Sequence, residues 1–175
     1  DDTTVGSTPD DSASLAISVI EQNDAPLVAL ENTVTSLPED TDTTSRVKVA
    51  DIVITDDGNG TNVLSLTGAD AALFEIVGSE LFLKANTFLD HESQPVLSVI
   101  VNVDDPAVGS MPDDSAALMI AVSNVNEPPI VGLGNAVTTL PENTDTTFRI
   151  KVADIAVSDD GLGTNVLSLT GADAA

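Results

Sequence analysis

The chain has 175 residues, 29 of them acidic and 5 basic, for a net charge of −24, and it contains no cysteine, tryptophan or tyrosine. Such a charge disfavours nucleic acid and anionic membranes, both of which need clustered Lys and Arg, and makes divalent cations the natural partner. The missing cysteine removes disulfides, thiolate metal sites and thiol catalysis, and the longest apolar run, Ala116–Val122, is far below the ~20 residues that span a bilayer.

The sequence repeats itself 103 residues on: 49 of the 72 residues that can be aligned at this offset are identical. Leu37-Pro38-Glu39 returns as Leu140-Pro141-Glu142, and Thr55-Asp56-Asp57-Gly58 returns as Ser158-Asp159-Asp160-Gly161. The chain is therefore expected to be a stretch of a tandem array. Residues 1–26 would be the C-terminal part of one unit, 27–129 a complete unit, and 130–175 the N-terminal part of the next.

In chain order, Leu15, Ile17 and Val19 alternate with polar or small residues and predict a strand in the first partial unit. In the complete unit the first strand lies near Pro38, and short strands follow around Arg46–Val49 and Val63–Leu66. Ala69–Leu73 suggests one helical turn, and Phe74–Val77 and Glu80–Leu83 form a hairpin across Gly78-Ser79. Leu97, Val99, Val101 and Val103 alternate over the next strand, and Leu118, Ile120 and Val122 over the last. About seven short strands in about 100 residues predict a two-sheet, Greek-key sandwich of the immunoglobulin-like kind with an aliphatic core, repeated end to end. Prolines at the joints, Glu21 to Pro26 and Asn124 to Pro129, leave little slack between neighbours.

Acidic and amide residues gather at strand ends and loops. The clusters are Pro38-Glu39-Asp40, Asp56-Asp57 with Asn62, Asp90-His91-Glu92, Asp104-Asp105, and the Asn/Glu-rich joints. Calcium takes six to eight oxygen ligands from carboxylates, amides and carbonyls, so it needs several such segments brought together, and a junction between two domains supplies that geometry. Single clusters are also ordinary turn chemistry, since Asp caps its own backbone and Gly supplies positive φ. The remaining acids, among them Asp10, Asp11, Asp113 and Asp114, read as solvated surface. His91, the single histidine, reads as an exposed strand-end side chain: no second histidine builds a zinc site and no Gly-x-Ser-x-Gly accompanies it.

The order of these clusters resembles the cadherin repeat, particularly the version in large bacterial secreted or surface-bound calcium-binding proteins. The residues carrying the likeness are Glu39 and Glu142, the Asp-x-Glu of Asp90 and Glu92, the paired aspartates 56/57 and 159/160, the strand-end Asp104, and the Asn-x-Asn-Glu-Pro-Pro joint. The resemblance implies calcium held at each joint. After the complete unit its ligands would be Glu39, Asp90 and Glu92 from the leading domain, Asn124, Asn126 and Glu127 from the joint, and Asp159 and Asp160 from the following domain. At the earlier joint they would be Glu21, Asn23, Asp24, Asp56, Asp57 and Asp104. The joint is one residue shorter than the animal Asp-x-Asn-Asp-Asn form and begins with Asn124 in place of aspartate, which implies weaker binding.

The function so implied is non-enzymatic: a structural or adhesive repeat segment of a large extracellular or cell-surface protein, stiffened by calcium, with like repeats or a surface ligand as further partners. Two other readings are a segment of a self-assembling extracellular fibre and an accessory carbohydrate-binding module of a secreted enzyme. Long flat sheet edges would serve the first, whereas the second usually needs exposed Trp or Tyr.

Overall fold

The computed structural model describes Thr4, Gly6, residues 11–109 and residues 111–173. Asp10 lies outside the described residues. Residues 27–123 form eight strands: β1 (Leu27–Glu31), β2 (Ser36–Pro38), β3 (Val47–Thr55), β4 (Val63–Thr67), β5 (Phe74–Val77), β6 (Glu80–Leu83), β7 (Val96–Asp104) and β8 (Asp114–Ser123). One four-stranded sheet has the order β1-β3-β6-β5 and the other β2-β8-β7-β4, so the chain crosses between sheets in Greek-key fashion and the molecule is an all-β sandwich. A 3₁₀ turn at Ala71–Leu73 leads into β5.

The alternating segments lie where their periodicity puts them. Along β7, Leu97, Val99, Val101 and Val103 are buried, and along β8, Leu118, Ile120 and Val122 face them from the same sheet. Leu81 and Leu83 of β6 and Val49, Ala50 and Ile52 of β3 close the core from the opposite sheet. Of the four phenylalanines only Phe74 is buried in the core, while Phe88 and Phe148 are 85% and 81% exposed. Phe82 lies under the Arg46 guanidinium, 4.8 Å from ring centroid to Cζ, on the outer face. The Gly78-Ser79 turn has φ +62° at Gly78, the conformation glycine supplies at the first central position of a tight hairpin.

Three features differ from the expectation. The first strand is split: β1 pairs antiparallel with β3 in one sheet, and a few residues later β2 pairs parallel with β8 in the other, giving eight strands in place of about seven. Within β3 a bulge makes Val49 an extra residue, since Lys48 pairs with Phe82 and Ala50 with Leu81. Val49 and Ala50 are therefore both buried, and the inward-facing set changes parity along the strand. Finally, Leu15, Ile17 and Val19 do not form a strand and are 84%, 79% and 94% exposed. Their counterpart β8 is a strand because β2 and β7 flank it; no strand lies beside residues 15–20 among those described, and alternation without a ladder partner buries nothing.

Beyond the sandwich, β9 (Ile130–Gly134) pairs antiparallel with β10 (Asp154–Ser158). Ile130↔Ser158 and Gly134↔Asp154 repeat Leu27↔Thr55 and Glu31↔Asp51, each shifted by 103 residues, so the sequence repeat is also a repeat of register. Among the described residues no helix is long and apolar enough to cross a membrane.

Candidate metal centre at the joints

The end of the sandwich near Ser123 gathers acids from separate segments. Glu39 follows β2, whose parallel register with β8 is continued by the bond from the Glu39 N–H to the Ser123 carbonyl, at 3.1 Å. Asp90 and Glu92 sit in the turn before β7, where the Ser93 N–H and hydroxyl donate to Asp90. Each of Glu39, Asp90 and Glu92 offers a carboxylate oxygen within 4.8 Å of the others. Glu39 is held there by two backbone donors, the His91 N–H to Oε2 at 2.8 Å and the Val125 N–H to Oε1 at 2.5 Å. His91 itself is partly buried, its Nδ1–H donating to the Val122 carbonyl at 2.6 Å. The exposed position expected for it is thus corrected: the turn folds back over the end of β8.

The joint connects this cluster to the following segment. Asn124 donates through Nδ2 to Glu92 Oε1 at 2.8 Å and to the Asp160 carbonyl at 3.4 Å. The Glu127 N–H donates to Asp160 Oδ2 at 3.0 Å. Asp90, Glu92, Glu127, Asp159 and Asp160 consequently line one cleft of about 180 Å³. Asn126 lines the adjoining cleft with Glu39, Asp90 and Glu127. All eight residues expected at this joint are thereby placed around one junction.

The earlier joint repeats the bonding of the later one. The Asp24 N–H donates to Asp57 Oδ2 at 2.9 Å, as Glu127 does to Asp160. Asn62 Nδ2 donates to Asp56 Oδ2 and Asn165 Nδ2 to Asp159 Oδ2, both at 2.9 Å. Asp104 ends β7 opposite Val63, the residue after Asn62. Asn23 reaches Asp105, the neighbour of Asp104, through Nδ2 at 3.0 Å. Glu21 is exposed, and the geometry assigns it no partner in this group.

Several oxygens at these joints are buried and accept no hydrogen bond. They are Oδ1 of Asn124 and Asp159 at the later joint, and Oδ1 of Asn23, Asp56 and Asn62 at the earlier one; Asp104 Oδ1 is likewise unpaired, but Asp104 lines a pocket with Val63, Ser65, Thr67, Asn102, Met111 and Pro112. A buried, unpaired carboxylate or amide oxygen costs free energy, so such groups ordinarily find a partner. The donor set is oxygen only, anionic and drawn from separate segments, which suits a hard divalent cation and not a soft one.

Electrostatics reflect the crowding. The His91 and Val125 N–H donors hold the Glu39 carboxyl below its usual value. Glu127 is pushed up, first by desolvation and then by the carboxylates of Glu39, Glu92, Asp160 and Asp90. A raised carboxyl pKa disfavours the ionised fold: its contribution is intact below the unfolded value near 4.5 and is lost as pH rises through the higher folded value. In chelator at pH 7, Glu127→Gln should therefore melt at a higher temperature than the parent, with the difference fading below pH 4.5. Thermal scans across pH check this, and a pH-independent difference would count against it.

Sequence reasoning counted Asp105 in the Asp104-Asp105 cluster but assigned the ligand role to Asp104 alone; Asp105 is 1% exposed and lies inside the fold. The same reasoning took Asp113 and Asp114 for solvated surface. Instead Asp113 Oδ2 accepts the Asp105 N–H at 2.6 Å and Asp114 Oδ2 accepts the Val28 N–H at 2.8 Å, pinning the start of β1 to the start of β8. The Asp-Asp doublets carried the only signal.

The sequence matches no protein-family model and no curated protein. Among solved structures, the chain is similar to protocadherin gamma B7 extracellular cadherin domains 1–4, with TM-score 0.51 and 20% identity over 78% of this chain and 33% of that one. It is likewise similar to the protocadherin gammaB7 EC3-6 cis-dimer, with TM-score 0.50 and 18% identity over 79% and 34%. Human protocadherin-24 EC1-2 aligns at 21% identity and TM-score 0.47 over 80% and 62%. The chain thus spans from about a third to under two thirds of the lengths of these structures. Its fold is that of the cadherin extracellular repeat, an immunoglobulin-like sandwich.

Proposed function

We propose that this chain is a calcium-stiffened repeat segment of a large extracellular or surface protein, structural or adhesive in role and not catalytic. The units would follow the 103-residue period, with a whole one at 27–129 and partial ones at 1–26 and 130–175. One observation carries the reading: buried oxygens without hydrogen bonds occur at both joints, on residues of the joint itself and of the unit that follows it. Calcium would supply the missing partner for them and offset the repulsion that crowds Glu127.

The ligands at the later joint would be Glu39, Asp90, Glu92, Asn124, Asn126, Glu127, Asp159 and Asp160. At the earlier one they would be Asn23, Asp24, Asp56, Asp57 and Asp104, with Glu21 a weaker candidate because among the described residues no bond ties it to the group as one ties Asp24 to Asp57. With the ion bound, the chain's own contribution is to hold carboxylates of two units at a fixed distance, which removes hinge freedom. Like repeats of other chains would be a further partner class, as the cis-dimer of the similar protocadherin gammaB7 suggests.

Calcium titration of the chain followed by calorimetry tests the proposal. Binding in the range of extracellular modules, about 10⁻⁴–10⁻³ M, is expected, and Glu39→Gln should weaken it. A flat titration would overturn the reading.

A further inference from the structure

The two sheets of the sandwich turn chemically different outer faces to solvent. On the sheet β1-β3-β6-β5 the outward side chains include Lys48, Asp51, Glu75 and Glu80, and Lys48 and the neighbouring Arg46 form ion pairs there. The sheet β2-β8-β7-β4 is nearly free of charge. Across β8 and β7 its outward positions pair Ala121 with Val96, Met119 with Ser98, and Ala117 with Ile100. On β4 they are Val63, Ser65 and Thr67, and Asp104, opposite Val63 at the rim, is the one charged side chain on this face among the described residues. An antiparallel sheet with one wet face ordinarily alternates core residues with polar or charged ones. Here Val96, Val63 and Met119 are instead 40%, 47% and 64% exposed.

The pattern recurs along the chain. At the 103-residue offset Ala117, Met119 and Ala121 correspond to Ser14, Ala16 and Ser18, and Val63, Ser65 and Thr67 return unchanged as Val166, Ser168 and Thr170. None of these counterparts is charged, although 29 acidic residues are spread over the sequence.

Two features decide what can cover such a face. The first is charge: at −24, two copies repel wherever their carboxylates meet, whereas here apolar surface can be buried without setting like charges together. Loss of charge with an exposed Met is also the composition of an interface core. The second is shape. Met119 projects from β8, while Val63, Met111 and Pro112 border a hollow of about 450 Å³ beside β4. A surface that carries both a projection and a hollow can be matched by its own copy about a two-fold axis.

We propose that this uncharged outer face is a docking surface for the same face of a second copy of the chain, sheet against sheet. The inference rests on the like-repeat partner class given above and narrows it to one surface; it does not depend on calcium. Four strands about 4.8 Å apart and about 17 Å long give roughly 300 Å² per unit, against about 800 Å² per partner in a stable interface. A single pair of units therefore binds weakly, and arrays of repeats gain strength from many such contacts.

Methyl nuclear magnetic resonance of the whole chain, followed from micromolar to millimolar concentration at fixed ionic strength, tests the proposal. The Met119, Val96 and Val63 signals should move together with concentration, while Val53, on the outer face of the other sheet, stays fixed. Met119→Glu should weaken the association at least about tenfold, with the melting temperature unchanged because the side chain lies outside the core. Val53→Glu adds the same charge to the opposite face and should leave the association as it was.

A chain that stays monomeric at millimolar concentration would overturn the proposal and the like-repeat reading together. Association that moves other signals and is indifferent to Met119→Glu would overturn the proposal alone. If the same signals moved on adding phosphatidylcholine vesicles and not with protein concentration, the occupant would be lipid and the proposal would fall.

Discussion

Phe74→Ala should cost about 3–5 kcal/mol, the usual toll for removing a buried aromatic side chain and leaving a cavity. Phe74 is 2% exposed, begins β5, and pairs with Leu83 of β6, itself fully buried. It is the one large ring in an otherwise aliphatic core, so the surrounding Leu and Val side chains have no neighbour bulky enough to fill the space. Against a typical domain stability of about 5–15 kcal/mol the loss is severe. For a domain of this size it should lower Tm by roughly 4–8 °C per kcal/mol. Urea unfolding in calcium and in chelator should give the same loss, because Phe74 belongs to the sandwich and to neither joint. A loss below about 1 kcal/mol, less than any deep-core truncation gives, would contradict the packing described.

Calcium should raise the melting temperature of the parent chain, and chelation should reverse the rise. An ion that binds only the folded state stabilises it by about 2.7 kcal/mol per site when its concentration is one hundred times Kd. With Kd of about 10⁻⁴–10⁻³ M, the effect should grow through the millimolar range and saturate slowly. General screening of the −24 charge also stabilises the chain, so sodium chloride of matched ionic strength is the necessary comparison. Small-angle scattering should show the joints stiffening over the same calcium range. If calcium did no more than matched salt in both measurements, ion binding at the joints would have to be given up.

Local pattern was enough to read some of this architecture. The alternation of β7 and β8 and the Gly78-Ser79 turn depend on neighbours in sequence, and both are found in the structure; the 103-residue repeat is legible by self-comparison and returns in the register of β9 with β10. Features that depend on distant pairing were not readable. The bulge at Val49 is created by the β6 partner, and the switch of the first strand from β3 to β8 is decided by which sheet edge is near. Likewise, nothing local distinguishes the exposed Leu15–Val19 segment from β8, since only the flanking strands differ. At the joints, residue type marked the acids, but the burial of Asp105 under Gly60 and the tie from His91 to Val122 arise from contacts made far along the chain.

The parallel pairing of β2 with β8 bears on how the sandwich withstands tension. Val28 is pinned to Asp114 at one end and Glu39 to Ser123 at the other, so β1–β2 and β8 run the same way along the domain. A pull applied between Leu27 and Ser123 slides β2 against β8 lengthwise. The hydrogen bonds of that seam then resist together, where a hairpin pulled at its open end would yield one rung at a time.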